Sequence, residues 1–140
     1  MPTVRDAMST SVVSLDQQDT ILQAARHMAD THVGALPVLG EGGRLLGLIT
    51  DRDIVLKVVA IGHDPAETRA GDLAQGEAVT VGPDASLEEA VRLLRENDVR
   101  RLPVLDDEEQ LIGVISEADL ARALPPEQAG ELLQAIASAT

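Results

Sequence analysis

Sliding the 140-residue chain against itself by 66 positions aligns Leu36-Pro37-Val38-Leu39 with Leu102-Pro103-Val104-Leu105 without a gap. The same shift pairs Asp6 with Asp72, Val13 with Val79, Ala24 with Ala90, Arg26 with Arg92, Val33 with Val99, Gly47 with Gly113 and Asp53 with Asp119. So many coincidences at one fixed offset mean an internal duplication. A unit of about 60 residues buries only about 60% of its unfolded surface and is marginal alone. The two copies are therefore expected to depend on each other.

Each copy is read once and applied twice. A short first strand is expected at residues 11–15 and 78–81. A helix follows at 20–30, with Ile21, Ala24, Ala25 and Met28 on one face; its counterpart carries Leu87, Ala90, Val91 and Leu94 at the same spacing. Thr20-x-x-Gln23 and Ser86-x-x-Glu89 have the form of capping boxes. Apolar runs at 36–39 and 102–105 predict buried strands, each turning into a third strand, 45–50 and 111–116, by way of Glu41-Gly42-Gly43 or Asp106-Asp107-Glu108-Glu109. The acidic run is most simply a solvated turn. The expected fold class is α+β of the α/β type, each repeat running β-α-β-β-α.

The copies end differently. The first final helix is predicted to run to about Ile61, where Gly62 and Pro65 stop it, and residues 62–69 form a linker. Pro125-Pro126 cut the second short after Leu124. The expected organisation is thus a first repeat over 1–66 with its N-terminal segment and the start of the linker, a second repeat over 67–125, and a C-terminal helix at 126–140 outside the repeat. In that helix Leu132, Leu133 and Ile136 are read as one apolar side, covering the core or a partner subunit.

Composition narrows the partners. A net charge of −13 with only 11 Lys and Arg opposes nucleic-acid binding, which rests mainly on neutralising phosphates. No Phe, Tyr or Trp is present, so a bound base would have to lie between aliphatic side chains. The absence of Cys removes disulfide and thiolate chemistry. With no signal pattern and no membrane-length apolar run, a cytoplasmic protein without a membrane partner is expected. His27, His32 and His63 lack metal-site spacing, and no serine has a nucleophile elbow or a neighbouring His; neither a metal nor an enzyme is expected.

The chemistry concentrates in Gly47-Leu48-Ile49-Thr50-Asp51-Arg52-Asp53-Ile54 and its copy Gly113-Val114-Ile115-Ser116-Glu117-Ala118-Asp119-Leu120. In each, a strand ends at a hydroxyl that is followed three residues later by a carboxylate. Two readings stand together: a capping box that starts a helix, or a helix start whose amides and dipole receive an anion. The cations make the copies unequal, since Arg52 has Ala118 at its shifted position while Arg100 and Arg101 replace Gly34 and Ala35. Arg52, Arg100 and Arg101, with Lys57 behind them, are the phosphate candidates. The bland alternative is that these cations are solvated or paired with the many acids. Asp51 and Glu117 crowd both motifs and disfavour a highly charged polyphosphate relative to a monophosphate.

A duplicated β-α-β-β-α unit, with Leu-Pro-Val in its second strand and Gly-x-Ile-Thr/Ser-x-x-Asp closing it, resembles the cystathionine-β-synthase (CBS) domain pair, or Bateman module. The likeness covers roughly Val4 to Leu124. Gly34-Ala35-Leu36-Pro37-Val38, Ile49-Thr50-Asp51-Arg52-Asp53-Ile54-Val55 and Val99-Arg100-Arg101-Leu102-Pro103-Val104 make it similar to the small stand-alone type of the bacterial hypoxic response proteins. Any thiol-dependent property of such relatives is excluded here by the lack of cysteine.

The resemblance implies two repeats packed sheet to sheet about a pseudo-two-fold axis, with clefts that take an adenine ligand: AMP, ADP, ATP or S-adenosylmethionine. None is required as a cofactor. It implies that Asp53 and Asp119 hold ribose, that Thr50 and Ser116 contact phosphate, and that Val12, Val13, Ala78 and Val79 border adenine. A non-catalytic regulatory sensor, homodimeric and with an unknown protein target, is the expected function, AMP being the favoured ligand. The alternative is a ligand-free stress-response scaffold that works through its dimer surface.

Overall fold

A computed structural model describes residues 2–74 and 78–138. Two compact units emerge: Val13–Ala78, and Met1–Val12 together with Val79–Thr140. The repeats in sequence and the units in space are thus composed differently. The segment preceding the first repeat folds with the second, and residues 70–74 fold with the first.

The continuous unit contains β1 (Leu15–Asp16), α2 (Ile21–Thr31), β2 (Ala35–Leu39), β3 (Leu45–Thr50), α3 (Asp51–Ile54) and α4 (Ala70–Leu73). Its sheet has the order β1-β2-β3, β1 parallel and β3 antiparallel to β2. The composite unit contains α1 (Val4–Ala7), α5 (Leu87–Asn97), β4 (Arg101–Leu105), β5 (Leu111–Ser116), α6 (Glu117–Ala123) and α7 (Pro126–Ser138). The two hairpins repeat residue for residue. Ala35 faces Thr50 as Arg101 faces Ser116, and the register slips between Val38 and Leu39 as it does between Val104 and Leu105.

The expected helices and hairpins form, with three differences. First, the initial strands are nearly absent: only Leu15 and Asp16 pair with β2, and only Val81 bridges to Val104. Val81 donates to the Pro103 carbonyl and accepts from Leu105, so position 103 turns its backbone toward this edge. A proline there has no amide to give, and the ladder cannot extend further upstream. Second, Ser86 caps α5 by accepting from the Glu89 amide at 3.1 Å, but Glu89 does not return the bond because its carboxylate is engaged by Arg92. Thr20 and Gln23 complete theirs. Third, the helix after β3 changes winding: Val55–Val59 is a π segment, which stops before Gly62 at φ 80°.

Each unit has its own core. Ile21, Leu36, Val38, Ile49 and Val58 are fully buried in one; Val4, Leu102, Val104, Ile115 and Leu120 in the other. Burial of each such side chain is worth about 1.5–3 kcal/mol relative to exposure. Within the composite unit, α7 covers the core through Leu132 with Ile136 packed beside it, while Leu133 turns outward. Leu132 and Ile136, four apart, lie one above the other on the helix, whereas Leu133 is rotated about 100° from Leu132. Residues 139–140 of the expected helix lie outside the described residues.

The short helices α1 and α4 are a second duplicated pair. Asp6 accepts from the Thr3 amide at 2.8 Å, and Asp72 from the Arg69 amide at 3.3 Å. The residue after α1, Met8, lies against Gly113, and the residue after α4, Ala74, against Gly47. Both contacts obey the 66-residue offset. A Cβ at Gly113 would stand 2.7 Å from the Met8 sulfur and 2.8 Å from the Ser9 carbonyl oxygen, so glycine is needed there for the chain to approach.

Candidate ligand site at two strand-to-helix junctions

Thr50 and Ser116 end their strands in extended backbone and cap the helices that follow. Thr50 Oγ1 accepts from the Asp53 amide at 3.0 Å while the Thr50 amide donates to Asp53 Oδ2 at 2.9 Å. Ser116 Oγ accepts from Asp119 at 3.2 Å, and its own amide donates to Asp119 Oδ2 at 2.9 Å. The capping reading is therefore realised in both copies.

The other carboxylate oxygen is also occupied. Lys57 Nζ lies 3.3 Å from Asp53 Oδ1, and Arg122 Nη2 donates to Asp119 Oδ1 at 2.6 Å. Both acids are partly sheltered, with side chains 27% and 15% exposed. At Asp53 burial opposes ionisation, but the Thr50 amide and hydroxyl, with Lys57, outweigh it and hold the carboxyl below its ordinary value.

The two surroundings differ as the arginines foretell. In the composite unit the Glu117 amide donates to the Arg100 carbonyl at 3.0 Å, and Arg101 pairs in register with Ser116. Arg100 and Arg101 thereby flank the second junction. Burial raises the Glu117 carboxyl above its ordinary value, against the pull of Arg100 and Arg101. In the continuous unit Gly34 takes the place of Arg100, its carbonyl accepting from Asp51 at 2.9 Å, and Arg52 is exposed on the first turn. Arg122 was not singled out in the sequence; its i,i+3 spacing from Asp119 is the signal that finds it.

The adenine-side candidates divide between the units. Val13 (42% exposed) and half-buried Ala78 belong to the continuous unit; half-buried Val12 and Val79 belong to the composite one, where Val79 packs on the core. All four stand outside regular strands. A groove lined by residues 14–18 and 39–43 opens at the far end of the first hairpin, away from Thr50 and Asp53. No group of three or more His, Asp or Glu suited to a metal occurs among the described residues.

A strand, a capped helix start and a carboxylate, each used twice, define a tandem-repeat module, and this chain belongs to the CBS domain family: the family model matches residues 4–60 and 70–126. CBS pairs are regulatory modules. The chain is 41% identical to Hypoxic response protein 1 of Mycobacterium tuberculosis over 138 residues, 99% of this chain and 96% of that protein. The crystal structure of Hypoxic Response Protein I with two coordinated zinc ions superposes with a TM-score of 0.80 at 41% identity, covering 89% of this chain and all of the other. The structure of CBSX2 in complex with AMP has a TM-score of 0.75 at 27% identity, over 88% and 96% of the two chains.

Proposed function

We propose that this chain is a non-catalytic sensor that binds an adenine nucleotide, AMP in the first place, at the strand-to-helix junctions of its CBS repeats, and acts as a cytoplasmic homodimer on a protein target. The carrying observation is the pair of sheltered carboxylates, Asp53 and Asp119, fixed at equivalent strand-to-helix junctions with a hydroxyl beside each. The AMP complex of the related CBSX2 supports the choice of ligand. In this reading Asp53 and Asp119 hold ribose, Thr50 and Ser116 approach phosphate, Val12, Val13, Ala78 and Val79 border adenine, and Arg52, Arg100 and Arg101 neutralise the phosphate. The second junction, with two arginines against Arg52 alone, takes the more strongly charged ligand. Binding shifts the populations of module conformations.

Calorimetric titration with AMP, ADP, ATP, NAD and S-adenosylmethionine tests the reading. AMP is expected to bind. Asp53→Ala or Asp119→Ala is expected to weaken its own site about tenfold or more, because a hydrogen bond to a charged group contributes about 1.5–3 kcal/mol. Absence of heat and of thermal shift at millimolar ligand would refute it. A ligand-free stress-response scaffold is the second reading. It is favoured by one observation: Val55, Leu56, Val59 and Ile61 are all about half exposed along a single segment, as a protein-binding surface requires.

A further inference from the structure

We propose that Lys57 and Arg122 are built-in counter-ions that keep the Asp53 and Asp119 carboxylates self-paired, so that a ribose must displace them and they set the affinity of each junction. The inference rests on the ribose-binding reading above and deepens it. In each acid Oδ2 is committed to the backbone amide of the capping residue, at 2.9 Å. Oδ1 takes no part in the cap and is the better placed oxygen for a ribose hydroxyl, and it is the atom that Lys57 or Arg122 contacts.

The two cations do not descend from one ancestral position. At the 66-residue shift Lys57 meets Ala123 and Arg122 meets Leu56, yet both reach the same oxygen, one from i+4 and the other from i+3. Their own side chains are 61% and 72% exposed. Pairs this exposed add little to folding stability and are screened by salt. Their direct consequence is competition for the acceptor. The guanidinium contact is 2.6 Å and the ammonium contact 3.3 Å. Lys57 and Arg122 are thus positioning residues acting through the acids.

Adenosine is the suitable probe, because it carries the ribose without a phosphate and its own binding is not screened by salt. The full chain is titrated with adenosine and with AMP at low and high KCl, as wild type and as Arg122→Gln, Arg122→Lys and Lys57→Gln. Circular dichroism checks the fold of each. Adenosine is expected to bind about two- to fivefold more tightly to Arg122→Gln or Lys57→Gln, the range set by exposed ion pairs. Wild-type affinity for adenosine is expected to rise with KCl, that rise to flatten in the glutamine variant, and Arg122→Lys to restore it. If AMP binds while adenosine affinity is unmoved in both glutamine variants, or adenosine stays undetectable in all of them, the counter-ion role is overturned and the ribose reading survives. If neither ligand binds any form of the protein, the ribose reading falls and takes the counter-ion role with it.

Discussion

Asp53 uses one oxygen for Thr50 and the other for Lys57, and a carboxylate held this way favours its charged form. Its carboxyl lies below its ordinary value in the folded chain. The stabilisation is therefore fully present above the unfolded-state value and is lost as pH falls through the folded one. Asp53→Asn keeps the shape but cannot ionise. Thermal melts taken from pH 6 down to pH 3 should show a smaller loss of stability in the variant than in the wild type, and parallel curves would contradict this. The hydroxyl-x-x-acid spacing made the cap legible in the sequence. It could not show that each oxygen already carries a partner, because that depends on where Lys57 and Arg122 reach.

The hairpins were the most legible elements, since an apolar run containing Leu-Pro-Val has few places to go but a buried strand. Least legible were α1 and α4, four residues each, too short to show a helical period. Their trace in the sequence is the Asp6 and Asp72 coincidence, which turns out to be a pair of caps. The first strands, expected at 11–15 and 78–81, shrink to Leu15–Asp16 and Val81, because Pro37 and Pro103 have no amide to extend the ladder. The chain after α1 explains Gly113, while the chain after α4 does not require glycine at 47, and the contrast is measurable. Gly113→Ala forces a Cβ onto Met8 and Ser9 and should cost about 1–3 kcal/mol by chemical denaturation. It should also speed hydrogen exchange at the Ser9 and Val114 amides, which bond to each other's carbonyls at 2.9 and 3.0 Å. Gly47→Ala meets Ala74 at 3.6 Å, ordinary contact distance, and should cost less than about 1 kcal/mol. Equal costs would show that the Met8 approach does not matter.

For the whole molecule, half-exposed Val55, Leu56, Val59 and Ile61 have no counterpart in the second copy, where the 66-residue shift gives Ala121, Arg122, Pro125 and Glu127. If this apolar segment is where the proposed homodimer closes, light scattering should return twice the 14.8 kDa chain mass, and Val55→Glu with Val59→Glu should return the monomer. A wild-type monomer would contradict it. The composition of the compact units was the part of the architecture least visible in the sequence, because a repeat boundary records ancestry while packing decides which segments share a core. Its consequence is an order of events during synthesis. The Val13–Ala78 unit is complete in one uninterrupted stretch of chain. The other must keep Val4 and Met8 waiting until Gly113, Leu120 and finally Leu132 have left the ribosome. Residues made before the continuous unit are thus buried only after it is complete.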